Sequence, residues 1–182
     1  MSTASIPESS LVAGFTPEVF EEFLQTRDEP EWVTQARRDA FELYQEKLVD
    51  PLDQEEWKRV DLRAFRPGKF QLQGASAEAV DSGTLMQDRA AFAGSVVHVD
   101  GNCVSETVSE ELKPKGILFG DLATLLKEHG ETLRPHFSTR AVEASTDRFS
   151  AWHAAFWTGG TVLYVPRGVT VDQPLYSLIT LA

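Results

Sequence analysis

The fold turns on Gly159-Gly160-Thr161-Val162-Leu163-Tyr164-Val165-Pro166-Arg167-Gly168-Val169-Thr170-Val171. Asp172-Gln173-Pro174 and Leu175-Tyr176-Ser177-Leu178-Ile179-Thr180-Leu181 follow it. Three β-prone runs, 162–165, 169–171 and 175–181, are separated by tight corners. Short strands at such close intervals predict a solenoid of stacked strands. Ahead of them, Asp147 to Trp157 reads as an amphipathic helix with Phe149, Trp152, His153, Phe156 and Trp157 on one face. Gly159-Gly160 stops that helix. A phosphate cradle runs strand, glycines, helix; here the glycines follow a helix and precede a strand, so they bind no phosphate.

Further upstream, Val96-Val97-His98-Val99, Asp100-Gly101 and Asn102-Cys103-Val104 predict a β-hairpin over 96–104. Its two turn positions both require positive φ, the conformation Asp-Gly favours. Ile117 to Gly120 predicts a short strand. Asp121 then caps a helix over 121–129 carrying Leu122, Leu125 and Leu126, with Gly130 as its stop. Nearer the N-terminus, Thr16-Pro17-Glu18 opens a helix with a cap, a proline and an acidic first turn. A longer helix is expected from Pro30 to Val49. Its apolar face is Trp32, Ala36, Ala40 and Leu43, widened by Val33, Tyr44 and Leu48, with Arg37 among the charges of the opposite side. Glu55 to Leu62 reads as one helical turn and an extended piece, with Trp57 as its anchor. Residues 71–84, rich in Gly, Ala, Ser and Gln, read as a mobile linker.

The chain has 182 residues, 42% of them hydrophobic and 25% charged, with eleven Phe and four Trp. That composition can build a core and excludes disorder throughout. The 28 Asp and Glu outnumber the 17 Lys and Arg, for a net charge of −11. Phosphate backbones and anionic membranes need clustered cations, so neither nucleic acid nor membrane is an expected partner. No apolar run is long enough to span a bilayer, and residues 1–10 have no secretory pattern. One Cys can form no internal disulfide and no Cys-rich metal site alone. These features fit a cytoplasmic protein.

Four segments together resemble the SufB/SufD family of iron–sulfur cluster assembly scaffolds, and within it the N-terminal part of SufD. They are Glu29-Pro30-Glu31-Trp32, Glu55 to Leu62, the hairpin 96–104 with Gly116 to Leu122, and Phe149 to Ala155 with Gly159 to Val169. The resemblance implies an α+β fold: an N-terminal α-helical region with a β-hairpin, leading into the first turn or turns of a right-handed parallel β-helix. The expected segments are 1–90, helical; 91–146, a small α/β segment; and 147–182, a capping helix and the start of the β-helix core. The resemblance also implies a non-enzymatic scaffold whose parent pairs with a SufB-like subunit and a SufC-like ATPase. The parent complex assembles the iron–sulfur cluster, and this segment binds no cofactor itself. The family's cluster-linked residues lie in its later part, so no site residue is carried over. The 182 residues then read as a fragment or an interrupted reading frame.

One local constellation carries chemistry. In a two-residue-loop hairpin His98 and Cys103 sit opposite each other, with Cβ atoms about 4.5–5.5 Å apart. A neighbouring imidazolium would lower the thiol pKa, giving a reactive thiolate or half of a metal site. Otherwise both residues simply occupy hairpin positions. Two alternatives to the scaffold follow: a small thiol-dependent enzyme using Cys103 and His98, or an acidic interaction adaptor without cofactor. His153 reads as a satisfied core or cap-facing residue, and His129 as favourable in the last turn of a helix. His136 has no evident partner. Asp53, Glu55 and Glu56 read as a solvated face, and Arg59 with Asp61 as a surface pair.

Overall fold

The computed structural model describes residues 15–49, 54–60, 72, 91–137 and 141–180. The linker expected over 71–84, and Asp53 and Asp61, lie outside them apart from Leu72. Contacts divide the chain into two compact units: Met1–Gly74 with Ser138–Trp157, and Ala75–Phe137 with Thr158–Ala182. Both are discontinuous, unlike the three consecutive segments expected. The helix over 147–157 belongs with the N-terminal helices, and the strands after it belong with the hairpin.

The first unit contains helices α1 (Pro17–Gln25), α2 (Glu31–Leu48) and α3 (Gln54–Trp57), with α5 (Arg148–Phe156) returning from later in the chain. Thr16 caps α1 by accepting the Val19 N–H at 3.4 Å. Asp147 caps α5 more strongly, accepting the N–H groups of Phe149 and Ser150 at 2.7 and 2.8 Å. The core is aromatic: Phe15, Phe20, Phe23, Phe41, Tyr44 and Phe156 are buried with Leu24, Ala40, Ala151 and Ala155. Trp57 meets Phe149 with ring centroids 4.9 Å apart, the anchoring expected of it.

Two helix faces differ from their sequence reading. On α2 the buried residues are Val33, Arg37, Ala40, Phe41 and Tyr44, while Ala36 is exposed. The buried stripe therefore runs i, i+4, i+7, i+8, i+11 from Val33 and includes a charge. Arg37 is 1% exposed. It is tolerated because Nε donates to Glu29 Oε1 at 2.8 Å and Nη1 donates to the carbonyls of Ala155 and Trp157 at 3.0 and 2.9 Å. Its guanidinium also stacks 3.6 Å from the Trp157 ring centroid. Burial pushes its pKa down to about 10, against the opposing pull of Glu29, so it stays charged at neutral pH. On α5 the small Ala151 and Ala155 are buried with Phe156, and His153 is exposed rather than cored.

The second unit holds β1 (Gly94–Val99), β2 (Asn102–Val108), β3 (Leu118–Asp121), helix α4 (Leu122–Leu133), β4 (Thr161–Tyr164) and β5 (Leu175–Thr180). One sheet has the order β2-β1-β5, the other pairs β3 with β4. The β1–β2 hairpin forms as expected. Asp100 and Gly101 take φ of 48° and 80°, both positive as a two-residue hairpin turn demands. The register pairs His98 with Cys103, then shifts by one residue between His98 and Val97, which pairs with Ser105. Such a bulge leaves Val104 as the extra residue. β1 is the central strand and is buried along its whole length.

β4 and β5 join different sheets. β4 runs antiparallel to β3, whereas β5 runs parallel to β1, with Gly94 beside Leu175 and Val99 beside Thr180. Between them Gly168 turns with φ of 81°. The run Val169-Thr170-Val171 forms no strand. Its valines instead pack on a small cluster of Ala93, Leu112 and Ile117. Gly130 does not stop α4 either. Regular dihedrals break at His129 (φ −130°, ψ 25°), and helical turn resumes to Leu133 with Gly130 buried.

The hairpin tip is held from outside. A Cβ on Gly159 would lie 2.4 Å from the Gly101 carbonyl oxygen, a backbone atom that cannot swing aside. Gly159→Ala is therefore expected to destabilise this unit by about 1–3 kcal/mol, the usual cost of forced overpacking. Faster amide exchange along β1 and β2 would show it; unchanged protection would contradict the contact.

Candidate functional site

The hairpin and the β3–α4 junction bring three donor-bearing side chains together in the second unit. His98 projects from central β1, which accounts for its 2% exposure. Cys103 faces it across the hairpin at the paired register position and remains exposed. Asp121 arrives from the end of β3. It is the N-cap of α4, and Oδ2 accepts the Thr124 N–H at 3.1 Å. Its other oxygen, Oδ1, lies 3.1 Å from His98 Nε2. One donor atom from each of His98, Cys103 and Asp121 falls within 4.8 Å of the others.

A carboxylate also braces the junction. Glu106 on β2 accepts the Asp121 N–H through Oε2 at 2.9 Å. Gly120 makes this possible, since a Cβ there would sit 2.8 Å from Glu106 Oε1. Glu106 and Asp121 thus stand on the same side of the hairpin as the thiol.

The reactive-thiolate expectation is corrected by this arrangement. Partial desolvation of the thiol raises the Cys103 pKa above its ordinary value, and the negative charges of Asp121 and then Glu106 push it further the same way. A hydrogen bond from the Ser105 backbone opposes them more weakly. His98 is a true neighbour across the hairpin, but the two carboxylates stand near the thiol as well. These effects act against the thiolate on which a thiol enzyme would depend. At pH 7 alkylation by iodoacetamide is expected to run slower than that of free cysteine, because less of the thiol is ionised. A rate above that of free cysteine would reverse this reading.

The remaining candidates lie apart from the cluster. His153 is exposed on α5, and His129 sits at the break in α4. The His136 ring stands 5.7 Å from that of Tyr164. Glu55 is exposed and pairs with Lys58 at 3.3 Å, a solvated face as expected. Asp121 was legible in the sequence only as a helix cap. Its approach to His98 spans 23 positions and depends on β3 lying beside the hairpin, which no local pattern announces. Among the described residues no helix is long and apolar enough to cross a membrane.

A family model described as the SufBD protein N-terminal region matches residues 18–176. The chain is similar to an iron–sulfur cluster assembly SufBD family protein of Mycobacterium tuberculosis, with 26% identity over 178 residues, 89% of this chain and 20% of the relative. Its likeness to the Staphylococcus haemolyticus protein of the same description is 27% over 173 residues, 89% of this chain and 37% of that relative. A third, from Staphylococcus saprophyticus, is 37% identical over 84 residues, 46% of this chain and 18% of the relative. The chain thus spans well under half the length of these relatives. No solved structure matches it.

Proposed function

Because the chain belongs to the SufB/SufD family, we propose that it serves as the N-terminal region of a SufD-like scaffold subunit in iron–sulfur cluster assembly. In this reading the region is structural rather than catalytic. Its partners are a SufB-like subunit and a SufC-like ATPase engaged through the parent protein, in the cytoplasm. It holds no cluster itself; the complex does.

The observation that carries the reading is the family match across residues 18–176. The second unit adds physical support. β5 extends the sheet through parallel pairing to β1, while β4, one corner earlier, lies in a different sheet. The Thr161 and Ser177 hydroxyls meet at 2.6 Å between those two strands. Successive strands sharing a corner but feeding different sheets are what the opening rung of a parallel β-helix requires. Leu163 and Ile179 are 54% and 65% exposed, apolar surface that a following rung would cover. Solenoid strands that present unpaired backbone edges also accept strands from a partner chain.

The test is reconstitution. The intact protein, mixed with a SufB-like subunit and a SufC-like ATPase, should co-elute with both on size exclusion. Separate elution of all three at micromolar concentrations would overturn the scaffold assignment. Cys103→Ser should leave that co-elution unchanged, since a thiol enzyme and not a scaffold would depend on it.

A further inference from the structure

We propose that His98, Cys103 and Asp121 form a binding site for a borderline-soft divalent cation of the zinc class, assembled where the β1–β2 hairpin meets the N-terminus of α4. The inference does not rest on the family role, and it adds a metal site to a region read above as purely structural.

The donor set comes first. A thiolate, an imidazole and a carboxylate are the three ligand types that a zinc-class ion accepts, and three protein ligands plus a solvent position complete a common tetrahedral arrangement. Bond lengths of about 2.0–2.3 Å at the tetrahedral angle place ligand atoms about 3.3–3.8 Å apart. The three donor atoms already lie within 4.8 Å of one another. Small side-chain rotations close that gap. A harder ion such as Mg²⁺ or Ca²⁺ would want oxygen ligands, which this set does not supply in number.

His98 already faces the same pocket. Its ring Nε2 lies 3.1 Å from Asp121 Oδ1, close to the separation that two ligands of one tetrahedral ion keep. With the ring proton on Nδ1, Nε2 and Oδ1 present lone pairs to each other, and a cation held by both satisfies the two at once.

The surroundings favour the same outcome. Asp121 is fixed on both sides: the α4 cap holds one oxygen, and Glu106 holds its backbone N–H. Outer contacts of this kind set ligand orientation. Asp121 and Glu106 disfavour the bare thiolate, and the same two charges favour a dication beside it. Cys103 sits at the exposed end, which gives an ion an entry path.

Titration of the full chain with Co²⁺, followed by absorption, tests the site. One Co²⁺ should bind per chain, with a sulfur-to-cobalt charge-transfer band that Zn²⁺ abolishes on competition. Cys103→Ser, at an exposed hairpin position, should lose the band entirely. Asp121→Asn retains an N-capping side chain and should weaken Co²⁺ binding tenfold or more. No charge-transfer band in the unaltered chain, or a band of the same intensity in Cys103→Ser, would overturn the site. Unchanged affinity in Asp121→Asn would remove Asp121 from it and overturn the three-ligand proposal.

Discussion

Replacement of Arg37 by Ala is expected to lower the unfolding free energy by about 3–5 kcal/mol, the usual cost of breaking a buried ion pair. The side chain joins the start of α2 to the end of α5 through four groups at once. It pairs with Glu29, satisfies the Ala155 and Trp157 carbonyls at the last turn of α5, and stacks on the Trp157 ring. Truncation leaves two helix-terminal carbonyls and the Glu29 carboxylate without their donor in a region closed to water. Each such orphan costs about 1–3 kcal/mol. Glu29→Gln should cost less, about 1.5–3 kcal/mol, because the guanidinium keeps both carbonyls and the indole. The readout is direct. Trp32, Trp57, Trp152 and Trp157, the chain's four tryptophans, all lie in the first unit, so selectively excited tryptophan fluorescence during urea unfolding reports on that unit. A loss below about 1 kcal/mol for Arg37→Ala would show the side chain to be solvated in solution, contrary to the structure.

Phe156→Ala is expected to have an effect of similar size, about 3–5 kcal/mol, by a different mechanism. The Phe156 ring lies 5.1 Å from Phe15, 5.3 Å from Phe20 and 5.7 Å from both Phe23 and Phe41, centroid to centroid. Three of these contacts are edge-on or tilted beyond 70°, the arrangement aromatic quadrupoles favour. Removing the central ring takes away its transfer energy and opens a cavity that stiff neighbouring rings cannot collapse to fill. Phe156→Leu retains most of the volume and should cost less than half as much. Equal losses for the two variants would mean that ring geometry, rather than filled volume, holds this core.

The contrast between these residues shows which features a linear reading can reach. Helix starts were legible because caps act locally: Thr16, Asp121 and Asp147 each bond to N–H groups two or three residues ahead. The hairpin was legible for the same reason, since positive φ at Asp100 and Gly101 is a preference of those two residues themselves. The opposition of His98 and Cys103 then followed from register. Helix faces were harder. Periodicity finds an apolar stripe but cannot weigh a buried arginine on α2, whose carbonyl partners lie 118 and 120 positions further along. Val169 to Val171 has the β-branched composition of a strand, yet among the described residues no neighbouring strand offers it a ladder, and its valines are used for packing instead.

The sequence by itself determined where most helices and strands begin, which turn closes the hairpin and which two residues face each other across it, because those choices are made within a few bonds. Its four family segments also point to the SufB/SufD family without any reference to tertiary structure. Only the tertiary structure decided that α5 packs with the N-terminal helices, that Arg37 is interior, and that Asp121 stands against His98 with Glu106 behind it. Those outcomes depend on desolvation and on long-range pairing, whose energies belong to groups far apart in the chain and leave no periodic mark along it.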